Sequence, residues 1–282
     1  MHVDTAILTG ARHTANATPC QDYTTAGVLP DGRAWGIIAD GCSTGGQTDL
    51  GARAWALAAK ATLNAGARLD DAPERIQQLI LEYAKPMLDL LEPADGVATL
   101  GVLQAREKQV YAMMFGDGAL VARHMDGGVT FVTLEYTQNA PYYLNYLLHE
   151  GAANGWHARY GGQVRRAATS RYDAQGELVS FKVEEDPGLT PWVWRGHVDK
   201  DELEMVLLAT DGTMDAGEKP TQTLQDIAAI KAVKGEFMKR RISKLARGWQ
   251  KAGQMPRDDL SIAAIWLGDV PATSDSEENS NV

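Results

Sequence analysis

Apolar positions along this chain change period several times, and each change predicts an element. The stretches "VDTAILTGA" and "YTTAGVLPDGRAWGIIAD" alternate or run apolar, which predicts strands, and Pro30-Asp31-Gly32 marks a tight hairpin turn within the second. From about Thr48 to about Gly66, Leu50, Ala54, Leu57, Ala58 and Ala61 recur as one helical stripe. From about Ala72 to Leu91, Ile76, Leu79, Ile80, Tyr83, Met87 and Leu90 keep the same period, with a kink expected at Pro86. "GVATLGVLQA", "QVYAMMF" and "ALVARHM" then read as an antiparallel meander. Between about Leu134 and Val198, aromatics, Gly and charge mix without a clear period, so a surface excursion with one short helix and some strands is expected. "EMVLLATDG" is a further strand, followed by helices over about 222–234 and 236–252 and a last strand "LSIAAIWLG".

This order predicts an α+β fold, in which two antiparallel sheets form a β-sandwich flanked by helix pairs on both faces. Residues 1–268 read as a single domain. Residues 269–282, "DVPATSDSEENSNV", hold acid, Ser and Asn with almost nothing to bury, and a disordered acidic tail is expected there.

Composition narrows the function classes. The formal net charge of −10 argues against a nucleic-acid binder, which needs a positive face to neutralise phosphate. The segment "KRRISKLARGWQK" is locally basic, but Ile242, Leu245 and Trp249 recur between its cations, as in an amphipathic helix with a solvated basic face. No run approaches about 18 apolar residues and the N-terminus lacks a basic, apolar leader, so no membrane association is expected. Two cysteines, Cys20 and Cys42, make no disulfide framework, and a cytoplasmic location follows as the expectation. A monomer is expected.

Acidic corners recur where strands begin or end: Gln21-Asp22, Asp40-Gly41, Asp211-Gly212 and Asp258-Asp259. One Asp-Gly pair is an ordinary turn signal. Several carboxylates at one end of a sheet pair repel one another unless cations sit among them, and hard divalent ions take such oxygen ligands. No His or Cys spacing suggests zinc.

The ordered set "PCQD", "ADG" with a following "GG", "FGDGALVAR", "LLATDGTMD" and "RDDLSIAAIWL" resembles the metal-dependent protein serine/threonine phosphatases of type 2C, in particular a bacterial subgroup with a PCQD first motif. The resemblance spans about residues 5–268. It implies hydrolysis of phosphoserine and phosphothreonine by a water activated between two Mn²⁺ or Mg²⁺ ions, with a third ion bound weakly. By the same resemblance, Asp40 bridges the two metals, Gly41 offers its carbonyl, Asp211 and Asp258 complete the first metal site, and Asp22 holds metal-bound water. Asp117 matches an acidic residue near an additional metal, with Asp215 as its partner. Read from the residues alone, Asp117 is also an ordinary hairpin turn, and Asp215 a capping or surface acid.

Three departures from the family pattern matter. Gln21 replaces an acidic residue. Ala17 stands where many members place a phosphate-gripping Arg, which leaves His13 or Arg12 to take that catalytic role, or to be a solvated loop pair. Cys42 replaces a His, and with Cys20 it is either an inert buried thiol or half of a redox pair. The implied partners are a phosphoprotein substrate and a Ser/Thr kinase or its targets. The alternative reading is a catalytically weak regulatory or scaffold domain that retains metal binding.

Overall fold

The computed structural model describes residues 1–268; the expected acidic tail, 269–282, lies outside the described residues. Two antiparallel sheets stack face to face. The five-stranded sheet runs in the order β10 (Trp192–His197), β5 (Gln109–Phe115), β4 (Ala98–Arg106), β3 (Ala34–Gly41) and β2 (Asp22–Val28). The seven-stranded sheet runs β1 (His2–Leu8), β12 (Leu260–Trp266), β11 (Leu203–Ala209), β6 (Gly118–His124), β7 (Val129–Tyr136), β8 (Arg165–Tyr172) and β9 (Leu178–Asp186). Ile38, Leu103, Met114, Leu120, Val206, Leu208 and Ile265 fill the space between them. The expected β-sandwich is the one found.

A helix pair covers each outer face, because each sheet presents a second apolar face that water would otherwise meet. Helices α2 (Thr48–Asn64) and α3 (Pro73–Leu88) lie on the five-stranded sheet, where fully buried Trp55 donates its Nε1–H to the Gly96 carbonyl at 2.7 Å. Helices α6 (Pro220–Ala228) and α7 (Phe237–Ala252) cover the seven-stranded sheet through Leu224, Ile227, Phe237, Ile242 and Trp249. Among the described residues no helix is long and apolar enough to cross a membrane.

Several sequence expectations change. Leu50 and Leu57 are 41% and 43% exposed, so α2 buries Ala54 and Ala58 of the expected stripe but not its leucines. Its packing surface extends to Ala52, Trp55, Ala59 and Leu63, since small side chains let the helix backbone approach the sheet closely. Tyr83 and Leu90 also face solvent, and α3 ends at Leu88, two residues beyond Pro86. The first helix of the second pair is displaced to Pro220–Ala228, with Pro at its first position, where the missing N–H costs nothing.

The meander is also broken. β4 pairs with β5, but β6 pairs with β11 and β7, so the chain passes from one sheet to the other at Gly116-Asp117-Gly118. This corner is a crossing rather than a hairpin turn. It needs glycine: Gly118 has φ +131°, and a Cβ there would lie 2.8 Å from the Ala209 carbonyl oxygen.

Segment 10–21, expected as a loop, contains a short helix α1 (Ala11–Asn16). The middle excursion holds a 3-10 turn (Leu144–Leu147) and α4 (Glu150–Tyr160), joined by contacts among Tyr142, Tyr146 and Trp156. α5 is a single turn (Gly212–Asp215).

Candidate metal centre

All of the acidic corners lie at one end of the sandwich. Antiparallel pairing sets Asp22 directly opposite Asp40 across β2 and β3, and Asp40 opposite Thr99 of β4. Asp117 follows at the crossing between sheets, where Thr99 Oγ1 donates to its Oδ1 at 2.8 Å. Asp211 lies two residues beyond the end of β11, and Asp258 precedes β12, its antiparallel neighbour. Asp117, Asp211, Asp215 and Asp258 line one cavity of about 340 Å³, together with Glu135 and Asn139.

Electrostatics shows what this clustering costs. Burial pushes the Asp22 carboxyl up to about 8, although Thr210 Oγ1 donates to its Oδ2 at 2.8 Å. Asp40 is raised well above the ordinary carboxylate range by burial, then by the charges of Asp22, Asp211 and Asp117. Asp211 is open to solvent on one side, yet desolvation by the surrounding protein and the charge of Asp117 push it up to about 7. Asp117 is raised chiefly by burial. With nothing positive among them, burial and mutual repulsion favour the protonated form of these groups.

Asp22 Oδ1 and Gln21 Oε1, both at this end of the sandwich, are among the buried polar atoms of the described residues that have no hydrogen-bond partner. Orphaned buried acceptors carry a desolvation penalty that a cation or its water would remove. The donor set is all oxygen, so it fits a hard divalent ion. Gly41 closes β3, and its N–H donates to the Gln21 carbonyl at 3.1 Å, tying the Asp40-Gly41 corner to the Gln21-Asp22 corner.

His13, Asp258 and Asp259 form a second group, with one potential ligand atom from each within 4.8 Å of the others. Asp259 is not free to bind an ion, because its carboxylate is already committed. Oδ1 accepts the Gly10 N–H at 2.8 Å, while Oδ2 accepts the Gln21 N–H at 2.6 Å and lies 2.7 Å from His13 Nδ1. Asp259 is therefore the anchor that folds segment 10–21 against the last motif. A Cβ on Gly212 would overlap the Asp259 carbonyl oxygen, so the Asp211 corner also packs on this anchor.

The candidate phosphate-gripping pair is thus divided. His13 is buried behind the ligand set, with Nε2 3.9 Å from Asp258 Oδ1. Arg12, with its side chain 49% exposed, projects outward and donates from Nη2 to Ser43 Oγ at 2.7 Å and to Asp258 Oδ2 at 3.0 Å. They are not the solvated loop pair weighed from the sequence, because α1 puts one inside and one outside. Asp215 is exposed and lies 3.5 Å from Arg257 Nε.

Both cysteines are free thiols. Burial, then the Asp259 charge, pushes the Cys20 thiol up to about 12, which opposes thiolate chemistry. Cys42 Sγ lies 3.2 Å from Thr44 Oγ1 and close to buried Tyr143, whose hydroxyl is raised by burial and by Asp117.

Sequence reasoning assigned no role to Asp259, Thr210, Thr99 or Tyr143. Adjacency to an acidic corner was the signal for the first two; Thr99 and Tyr143 reach the site only through tertiary packing.

The family described as Protein phosphatase 2C matches residues 9–246. Comparison with curated protein sequences finds no match. Among solved structures, a bacterial serine phosphatase superposes with a TM-score of 0.56 at 12% identity, covering 95% of this chain and 99% of that one. Serine/threonine phosphatase Stp1 from Staphylococcus aureus gives 0.56 at 12% identity over 95% of this chain and 96% of that one. The photosystem II phosphatase PBCP gives 0.56 at 14% identity over 94% and 98%. At these identities the superpositions speak to the fold, and it is the sequence match over most of the chain, laid on a fold that gathers five acidic corners at one end, that identifies the chain as a member of the protein phosphatase 2C family of serine/threonine phosphatases.

Proposed function

We propose that the chain hydrolyses phosphoserine and phosphothreonine in proteins with two Mn²⁺ or Mg²⁺ ions held among Asp22, Asp40, Gly41, Asp211 and Asp258. The observation that carries this reading is the pair Asp22 and Asp40. They face each other across two strands, one with a buried oxygen lacking any partner and both raised far above ordinary carboxylates. Asp40 would bridge the ions, with the Gly41 carbonyl, Asp211 and Asp258 completing the first site. Asp22 and the Gln21 amide oxygen would accept from water. Asp117 and Asp215, which share the cavity with Asp211, would support a third, weakly held ion. When bound, such ions lower the pKa of water into the physiological range and neutralise charge on a phosphoryl group.

The chain's own groups do the rest. Thr210 fixes the rotamer of Asp22, and Thr99 that of Asp117. Asp259 and His13 hold the segment that carries Arg12 against Asp258. Arg12, at the rim, supplies the charged donors that grip phosphate oxygens in place of the Arg missing at Ala17. Carboxylates ligate hard cations as anions, so metal loading should release protons from the buried Asp22 and Asp40, whose carboxyls are raised.

The test is hydrolysis of p-nitrophenyl phosphate and a phosphothreonine peptide after dialysis into metal-free buffer. Activity should be absent, and Mn²⁺ should restore it. Full turnover in excess EDTA overturns the mechanism. Calorimetric metal binding without turnover would favour the regulatory-domain reading instead.

A further inference from the structure

Helix α7 carries six cationic side chains, Lys239, Arg240, Arg241, Lys244, Arg247 and Lys251, and no acidic one, in a chain of net charge −10. Its buried face, Phe237, Met238, Ile242 and Trp249, packs on the seven-stranded sheet. Arg241 is half-buried and donates to the Asp226 carbonyl, and Lys239 pairs with Glu236 at 3.0 Å. The other four recur at spacings of four, three and four residues, which places them on one stripe opposite the buried face. All four are exposed, and among the described residues none of them has an ion-pair partner.

Helix stability does not account for this stripe. Like charges three and four residues apart weaken a helix, and cations in its first turns oppose the helix dipole. Lys251 suits the C-terminal end; Arg240 does not. The stripe also points somewhere. From the end of α7 the chain runs directly to Arg257 and Asp258, and the Ala11 and Arg12 N–H groups donate to the Pro256 and Arg257 carbonyls at 2.8 and 3.0 Å. The Gly217 N–H donates to the Gln254 carbonyl at 3.0 Å, which ties the end of α7 to the segment just after Asp215, and from that end the positive track extends about 17 Å along the helix.

We propose that Arg240, Lys244, Arg247 and Lys251 dock an acidic segment of the phosphoprotein substrate, a short distance along its chain from the phosphorylated residue. The proposal rests on the phosphatase reading and adds a substrate class to it. About five extended residues match the stripe's length. A peptide fits better than a nucleic acid or an anionic membrane, because the stripe is one side chain wide and the net negative charge of the whole chain repels an extended polyanion.

The test uses two labelled phosphothreonine peptides that differ only in a run of about six glutamates or glutamines, placed on either side of the phosphosite at a spacing of several residues. Binding is read by fluorescence anisotropy on the wild type and on the quadruple variant Arg240→Gln, Lys244→Gln, Arg247→Gln, Lys251→Gln; Gln is a comparable helix former. The wild type should bind the glutamate peptide about tenfold more tightly, the sum of four weak exposed pairs, and lose the preference at high salt. The variant should show no preference, keep its melting temperature and turn over p-nitrophenyl phosphate as the wild type does. Equal binding by the wild type, or a preference that survives in the variant, overturns the proposal. Tighter binding to duplex DNA or to phosphatidylserine vesicles than to the peptide also overturns it. Preferential peptide binding without any turnover would leave the docking surface standing and remove the phosphatase reading.

Discussion

Replacing Asp22 with Asn should stabilise the metal-free protein, and by an amount that depends on pH. In the folded protein this carboxyl is pushed from 3.8 up to about 8, so its raised value penalises folding wherever the unfolded chain would be ionised. The sign follows directly. Below the unfolded pKa both states are protonated and the penalty vanishes; as pH rises through the window from about 4 to about 8, stability is lost. At about 1.4 kcal/mol per pH unit, the whole window amounts to about 6 kcal/mol as a ceiling. Asp40 faces it and is raised as well, so Asn should recover only part of that, ~3 kcal/mol at pH 8 and under ~1 kcal/mol at pH 5. Asn can still accept from Thr210 and can donate toward Asp40, so the substitution leaves no new orphan. Urea denaturation in EDTA at the two pH values measures the difference, and a rise in Tm of roughly 6–12 °C at pH 8 is the thermal counterpart. Saturating Mn²⁺ should reverse the order, because the wild type binds ions that the variant holds poorly. A variant less stable than wild type at pH 8, or a difference that does not change with pH, would mean that Asp22 is satisfied by the protein alone.

Asp259→Ala should cost about 3–5 kcal/mol and raise hydrogen exchange across residues 10–21, because it removes a buried anion that three donors converge on; a loss under about 1 kcal/mol in a thermal melt would contradict the anchor role. Arg12→Ala should lower kcat/KM on phosphopeptides by roughly 10- to 100-fold while the melting temperature holds, since exposed ion pairs contribute about 0–1 kcal/mol to folding; wild-type kcat/KM in steady-state kinetics would remove Arg12 from the phosphate grip.

What the sequence by itself determined were features that depend on near neighbours. Period-two and period-3.6 apolar runs placed most strands and three of the four covering helices, and an Asp at the end of an apolar run marked each acidic corner. Tertiary structure decided what depends on residues far apart. Asp259 touches Gly10, His13 and Gln21 across more than two hundred positions, so only the folded chain turns "GARHTANAT" into a helix and separates buried His13 from exposed Arg12. Likewise "FGDG" reads as a hairpin from its own composition. It is a crossing because β6 pairs with β11, more than eighty residues later, rather than with β5. The faces of α2 were misjudged for a related reason: periodicity reports which residues are apolar, whereas burial follows from how closely a sheet approaches, and alanine admits an approach that leucine prevents.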